Sequence, residues 1–433
     1  MSLEQDKVRS VKRAILSATE SSSLQEIIES DAAAFRGIRM LYSTESSGAE
    51  LQVKDSDRHI LVGIFSKRKL LAYSDSIGEE MRSGVAAIYY KRRVLFDTNL
   101  LTDLPRYFLE ENLPTRNKVA EILAIVEAEY GGGFDYVFPV LENLRESVKE
   151  NNPYPVRKVA AAIYFDHLLR GEARLEVDKS RILDPYFLKA ESLWASFRSN
   201  QDAWNMLDRR DSIYFVMLET FHVLWSRGSL TIESALNYLV DRCLDVLGVL
   251  PLKELYFAWK AIIGIGTGHY TPVFDEPDLK RPTKESVRRI GALSWDLYVF
   301  RFVEMLLTEE KGNNFYIPTF TTLDKGLLAT ISSCPVKAMI SFGDMRFVET
   351  IFEDELLFQQ CLDASLSMRQ KQVLMEAGRS VKGNKKLRYY TSLSIADAEK
   401  KYLGLHRNSR AQAFSRCLLL GLKLVAPPKG SSA

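Results

Sequence analysis

Two aspartates that directly follow hydrophobic segments are the residues of this chain best suited to chemistry. Asp97 follows Val94-Leu95-Phe96, and Asp324 follows Phe320-Thr321-Thr322-Leu323. Both segments are short and rich in β-branched or aromatic residues, so each predicts a buried strand. A carboxylate at the end of such a strand either caps the following helix or faces the sheet edge where α/β proteins place their chemistry.

The pairing of these two strand ends predicts a metal site. In a parallel sheet built with right-handed crossovers, the ends of neighbouring strands lie at the same edge. Two adjacent carboxylates repel each other unless a cation lies between them, and ligand sets made only of oxygen suit Mg²⁺ or Mn²⁺ rather than zinc. Such an ion lowers the pKa of a bound water and stabilises the charge that develops when a phosphodiester is attacked.

Hydrophobic periodicity predicts the elements that would position these carboxylates. Strands are expected at residues 38–42, 60–65, 89–96 and 315–321, and an amphipathic helix at 119–130 is ended by a run of three glycines. Residues 156–250, 286–307 and 329–425 have helical patterns. The expected organisation is an accessory α/β segment at 1–88, a core at 89–335, a helical C-terminal region at 336–425 and a disordered tail at 426–433.

Composition excludes several classes of protein. The chain has 433 residues, 46% of them hydrophobic, and a net charge of +2, so its overall charge does not indicate a polyanion partner. Its four cysteines form no CxxC pair, which argues against a zinc site or a disulfide framework. It has no P-loop motif, and Gly264–Gly268 lacks the dinucleotide-binding spacing. A polar N-terminus and the lack of a long apolar run predict a cytoplasmic protein with no membrane partner.

Three segments resemble the PIN-domain nucleases. Phe96-Asp97-Thr98-Asn99 is similar to the opening strand end of that family, and Thr322-Leu323-Asp324-Lys325 to its closing Thr-x-Asp. Between them, the segment from Trp295 to Phe300 looks like the family's helix with an inward-facing aspartate, Asp296. The resemblance covers about 92–150 and 285–335. It implies an α/β fold with a PIN-like parallel sheet core flanked by helices, and a large helical insertion at about 151–284.

The same resemblance implies a ligand set for one or two Mg²⁺ or Mn²⁺ ions. Asn99 and Thr322 would orient the carboxylates by hydrogen bonding. The family's glutamate has two candidates, Glu142 and Glu219, because each follows an apolar run, and its spacing from Asp97 favours Glu142. The implied catalytic and metal-binding residues are Asp97, Glu142, Asp296 and Asp324.

Each of these acids also has a purely structural interpretation. Asp97 and Asp324 could cap helices, while Asp296 could pair with Arg289 or Arg301, and Glu142 with Arg145. The C-terminal stretch 366–423 is basic and contains tyrosines, so it is either a solvated helical face or a surface that binds phosphates and stacks on bases. The basic residues expected to contact nucleic acid are Lys382, Lys385, Lys386, Arg388, Arg407 and Arg410.

The sequence therefore predicts a metal-dependent endonuclease that cleaves RNA, or single-stranded DNA, and leaves 3′-hydroxyl and 5′-phosphate ends. A bacterial toxin or phage-defence effector controlled by an inhibitory or activating protein partner would fit this resemblance. The alternative is a catalytically inactive protein that retains the fold and binds nucleic acid or acts as a scaffold.

Overall fold

A computed structural model describes most of the chain between residues 3 and 399. The gaps within this range are 19–22, 47, 51–52, 54–56, 130, 132, 147–153, 174–178, 227–230, 267–271, 275–276, 307–312, 324, 343–346, 378–394 and 396, and residue 400 follows its end. Residues 401–433 also lie outside the described residues. The predicted tail at 426–433 and most of the basic stretch are therefore not among them.

The described residues form a mixed α/β fold with two sheets. Their strands, in chain order, are β1 (Ile38–Thr44), β2 (Ala49–Glu50), β3 (Leu61–Gly63), β4 (Lys69–Tyr73), β5 (Tyr89–Phe96), β6 (Phe134–Asp135), β7 (Asn314–Thr321), β8 (Val336–Phe342) and β9 (Phe347–Phe352). The predicted strands at 38–42, 60–65, 89–96 and 315–321 correspond to β1, β3, β5 and β7.

The four-stranded sheet carries the strand ends predicted to do chemistry. Its order is β3-β7-β5-β6, with β5 parallel to both β7 and β6, and β3 antiparallel to β7. The β5–β7 pairing is unbroken from Tyr89 opposite Asn314 to Phe96 opposite Thr321. Val94, Leu95 and Phe96 are fully buried, as expected for an apolar strand covered on both faces. The carboxyl ends of β5 and β7 therefore lie side by side.

The second sheet corrects the prediction for the C-terminal region. It has five antiparallel strands in the order β2-β4-β1-β8-β9, so residues 336–342 and 347–352 are strands, whereas periodicity predicted helix. Every residue of β8 from Val336 to Ser341 is buried, so the strand lacks the alternation of buried and exposed positions by which periodicity recognises a strand. The segment 1–88 carries both helices and strands, and its strands β1 and β3 pair with β8 and β7, respectively, from the C-terminal half of the chain.

Helices surround both sheets. From 154 to 280 the elements in the described residues are helical, as predicted. The α-helices are α1 (Leu3–Ser17), α2 (Leu24–Ser30), α3 (Ala32–Phe35), α4 (Asp75–Ser83), α5 (Thr98–Phe108), α6 (Arg116–Glu129), α7 (Val137–Glu146), α8 (Tyr154–Leu169), α9 (Phe187–Ser199), α10 (Gln201–Ser226), α11 (Ile232–Leu247), α12 (Leu252–Gly266), α13 (Pro277–Lys280), α14 (Ser286–Leu306), α15 (Lys325–Ser333), α16 (Glu355–Ser365) and α17 (Met368–Ala377).

One large core joins the four-stranded sheet to the helices that follow it, while α1–α3 form a smaller core with the other sheet. Phe138 of α7 is a central contact of the large core. Its ring lies 5.3 Å from the ring of Phe302, 6.2 Å from those of Trp295 and Tyr298, and 6.3 Å from that of Phe320. These contacts fix α7 between α14 and the carboxyl half of β7.

Within the described part of the chain, no helix is both long enough and apolar enough to cross a membrane.

Candidate functional site

Asp97 lies at the carboxyl end of β5 and is hydrogen-bonded to three partners. Its Oδ1 accepts a hydrogen bond from the Leu100 backbone N–H at 2.6 Å, so Asp97 is the N-cap of α5. Its Oδ2 accepts from the Thr322 hydroxyl at 2.7 Å and from the Leu323 backbone N–H at 3.3 Å. Only 4% of Asp97 is exposed. The carboxylate therefore caps a helix and also ties the end of β5 to the chain leaving β7.

Thr322 is located where the sequence predicted it. It follows the last residue of β7 and is 1% exposed. Its backbone N–H donates to the Ile60 carbonyl at 3.0 Å, so it is held from the β3 side while its hydroxyl reaches Asp97. Asp324 follows two residues later and lies outside the described residues. The Leu323 N–H contact places residue 323 directly against Asp97.

Glu142 lies on α7, partly buried, and the Thr98 hydroxyl donates a hydrogen bond to its Oε2. Thr98 is the first residue of α5, directly after the Asp97 cap, so its hydroxyl links the start of this helix to Glu142. Glu142 follows the apolar start of α7, which begins at Val137, while the residue that ends the preceding strand is Asp135. Asn99, expected to orient a carboxylate, is exposed in the first turn of α5, and Thr98 beside it contacts Glu142.

Asp296 lies in the middle of α14 and is partly buried. Its neighbour Trp295 packs against Phe138 of α7, so the helices that carry Asp296 and Glu142 are in contact. Arg301, one of the two arginines considered as a partner for Asp296, is engaged elsewhere. Its guanidinium donates to both Glu254 carboxylate oxygens at 2.9 Å.

Glu219, the competing candidate for the glutamate, has a structural role. It is 1% exposed on α10, where it accepts hydrogen bonds from the Tyr238 hydroxyl at 2.7 Å and from Arg242 Nη2 at 2.8 Å. Burial lowers the pKa of Arg242, but the hydrogen bond and charge of Glu219 outweigh it and the pKa is raised. Glu219 thus fixes α11 against α10, in a buried ion pair.

Asp135 is a strand-end carboxylate that the sequence analysis missed. It ends β6 beside Leu95 of β5, and its Oδ1 accepts from the Val137 N–H at 2.7 Å at the start of α7. Burial raises its pKa, which the Val137 hydrogen bond and the charge of Arg93 oppose. A signal was present: Phe134-Asp135 repeats the dipeptide Phe96-Asp97 immediately after the glycine run.

Carboxylate and hydroxyl oxygens dominate this edge of the sheet, which is the donor chemistry that Mg²⁺ and Mn²⁺ prefer. Across the residues that the structure covers, no three His, Cys, Asp or Glu side chains are grouped so that they could hold a metal ion. Asp324, the fourth acid of the predicted set, is not among those residues. The six basic residues predicted to contact nucleic acid also lie outside them (Lys382, Lys385, Lys386, Arg388, Arg407 and Arg410).

Comparisons with known proteins gave no relative. No protein-family model matches the chain, and neither a curated protein nor a solved structure matches it significantly.

Proposed function

We propose that this protein is a metal-dependent endonuclease of the PIN-like type, acting on RNA. One observation carries the proposal: β5 and β7 are parallel neighbours, and Asp97 accepts hydrogen bonds from Thr322 and Leu323 across their carboxyl ends. The two sequence segments that resemble the family's opening and closing motifs are 225 residues apart in the chain at Asp97 and Thr322, yet they meet through side chains.

In this proposal, some residues of the chain would bind the metal and others would orient the metal ligands. Asp97, Glu142, Asp296 and Asp324 would hold one or two Mg²⁺ or Mn²⁺ ions. A bound ion supplies positive charge that activates water and stabilises the negative charge on a phosphodiester under attack. Thr322 fixes the orientation of the Asp97 carboxylate and Thr98 that of Glu142, and hydrogen bonds of this kind hold ligands in place around metals.

A catalytically inactive scaffold or nucleic-acid-binding protein is the second candidate, and one observation favours it. Both carboxylate oxygens of Asp97 already accept hydrogen bonds, and the Leu100 contact is that of an ordinary helix cap. A metal ligand would also have to coordinate an ion through one of these oxygens, which an inactive protein would not require. The two candidates therefore differ in measurable activity.

The test is cleavage of end-labelled single-stranded RNA and DNA with Mn²⁺ by the full chain and by Asp97→Asn and Glu142→Gln. We expect each substitution to reduce the rate at least about a hundredfold, because a direct ligand matters more than the outer partners, whose loss costs about 10- to 100-fold. Thr322→Val should reduce it about tenfold, since the Asp97 carboxylate keeps its place but loses one orienting bond.

Glu233→Gln is the matched control, because Glu233 is an exposed carboxylate in the first turn of α11. It should cleave as the unmodified chain does, and circular dichroism should show that every variant is folded. Equal cleavage by Asp97→Asn and the unmodified chain would overturn the assignment. Absence of cleavage by the unmodified chain with either ion, together with retained binding, would favour the inactive scaffold.

A further inference from the structure

The amino half of β5 exposes one face that combines an aromatic ring with positive charge. Tyr89, Lys91 and Arg93 alternate along the strand, so their side chains lie on the same face. Tyr89 is 62% exposed, Lys91 is exposed and the Arg93 side chain is 42% exposed. The opposite face points inward, and Tyr90 there packs against Phe315 with ring centroids 6.4 Å apart. We call Tyr89, Lys91 and Arg93 the β5 face.

The β5 face is held on a rigid support. Its backbone is paired with β7 throughout, with Lys91 opposite Tyr316 and Arg93 opposite Pro318. The guanidinium carbon of Arg93 lies 5.7 Å from the centre of the Tyr316 ring, and its Nη1 lies 3.9 Å from Asp135 Oδ2. Arg93 is therefore oriented by two neighbours while much of its side chain remains open to solvent.

The same strand leads from this face to the candidate site. Asp97 has the same parity as Tyr89, Lys91 and Arg93, but Leu95 between them is fully buried, so the exposed face ends at Arg93, before the candidate site. At about 3.3 Å per residue, the Cα atoms of Arg93 and Asp97 are separated by about 13 Å. A chain bound on the β5 face would lie within a few nucleotides of the carboxylates.

Edge protection is the ordinary explanation for cations on such a strand. The β6 strand pairs only with Val94 and Leu95, and lysine or arginine on an uncovered edge discourages pairing with other chains. This explains the charges but leaves the exposed tyrosine ring in line with them unexplained. Aromatic rings that stack on bases and cations that neutralise phosphates are the two elements of single-strand recognition.

We infer that the β5 face binds single-stranded nucleic acid, with a base stacked on Tyr89 and phosphates at Lys91 and Arg93. The inference rests on the proposed function, because it assigns the surface that delivers substrate to that site. Double-stranded nucleic acid is disfavoured, since its paired and stacked bases offer no free ring surface to Tyr89.

Fluorescence anisotropy with a labelled single-stranded RNA tests this inference without cleavage. The labelled RNA is titrated with the full chain carrying Asp97→Asn, in the presence of a chelator that removes divalent ions. The same titration is repeated with double variants that also carry Tyr89→Ala or Lys91→Gln. We expect each addition to weaken binding about tenfold at low salt. Lys91→Gln should also lower the slope of log affinity against log salt by about 0.7. Tyr89→Phe keeps the ring and should bind as its parent does.

Arg198→Gln is the matched control, because Arg198 is an exposed cation on α9. An equal loss with this variant, or changes below twofold with Tyr89→Ala and Lys91→Gln, would overturn the inference. Equal dependence of heparin binding on Tyr89 would also overturn it, since heparin has no bases. If the unmodified chain binds through the β5 face but never cleaves, the nuclease proposal fails and this surface stands.

Discussion

At the scale of single residues, Asp97 contributes to the stability of the fold, and this contribution must be measured separately from any role in catalysis. Three donors converge on it: the Leu100 N–H, the Thr322 hydroxyl and the Leu323 N–H. With 4% exposure, these groups would have little access to replacement water. Removing a buried acceptor costs about 1–3 kcal/mol for the donors left unpaired, and loss of an N-cap about 1 kcal/mol.

We therefore predict that Asp97→Ala lowers the free energy of unfolding by about 2–4 kcal/mol, from the cap and the orphaned donors together. Thr322→Val keeps the shape of the side chain but removes its hydroxyl donor, so it should lower the free energy of unfolding by about 1 kcal/mol. Urea denaturation at pH 7 measures both values. Equal stabilities of Asp97→Ala and the unmodified chain would show that the hydrogen bonds do not hold the strand ends. Activity of Asp97 variants should be compared only at temperatures where each is folded.

At the scale of elements, Gly48 fixes the turn into β2. Its φ is +105°, and a Cβ added there would lie 2.5 Å from the Leu70 carbonyl oxygen of β4. That atom belongs to the backbone of a paired strand, so it cannot move aside cheaply. Gly131, before β6, also has a positive φ, +56°, but a Cβ added there would meet nothing within 4 Å.

These two glycines make a matched comparison. Gly131→Ala should cost about 1–2 kcal/mol, the strain of a left-handed conformation alone. Gly48→Ala should cost at least about 1 kcal/mol more, because it adds the clash with β4. Thermal denaturation by circular dichroism gives both changes. Similar losses for the two variants would mean that the approach of β4 to Gly48 imposes no constraint of its own.

Local signals made some elements predictable and hid others. The strand β7 is rich in apolar and aromatic residues, and β5 ends in the apolar run Val94-Leu95-Phe96 before Asp97, so the sequence predicted both strands and their shared edge. Periodicity did not predict β9 as a strand, because Glu349 interrupts its apolar pattern. The Glu349 carboxylate is partly buried and pairs with Lys12, which is far away in the chain. The β6 strand has only two residues, too few to show the alternating hydrophobic pattern of a strand. The contact between Thr98 and Glu142 depends on how α7 docks on α5, which no local pattern encodes.

At the scale of the whole molecule, Lys12 joins the N-terminal helix to the C-terminal half of the chain. Its Nζ lies 2.7 Å from Glu349 Oε1 of β9 and also contacts Glu355 at the start of α16. Burial raises the pKa of Glu349, but the charges of Lys253 and Lys12 outweigh it, and the pKa lies below its ordinary value. Burial lowers the pKa of Lys12, but Glu349 and Glu355 outweigh it, and the pKa is raised.

These two pKa shifts predict that the free energy of unfolding falls at both low and high pH. A carboxyl whose pKa is lower in the folded state stabilises the protein above its unfolded pKa of about 4.3, and the stabilisation is lost as the pH falls through the folded pKa. A lysine whose pKa is higher in the folded state stabilises below its unfolded pKa of about 10.4, and that contribution is lost as the pH rises through the folded pKa. The Lys12–Glu349 pair should therefore contribute most between about pH 5 and pH 10.

Substitution of Glu349 tests the acid limb. We predict that Glu349→Gln lowers the free energy of unfolding by about 1–3 kcal/mol at pH 7, because it removes the charged partner of a buried lysine. The deficit should shrink as the pH falls below about 4.3 and through the lowered pKa of Glu349, where the unmodified chain loses the same contribution. Urea denaturation across this range measures it, with Glu79→Gln on the exposed side of α4 as the control. A deficit that stays constant with pH would show that packing, rather than the charge of Glu349, holds the N-terminal helix in place.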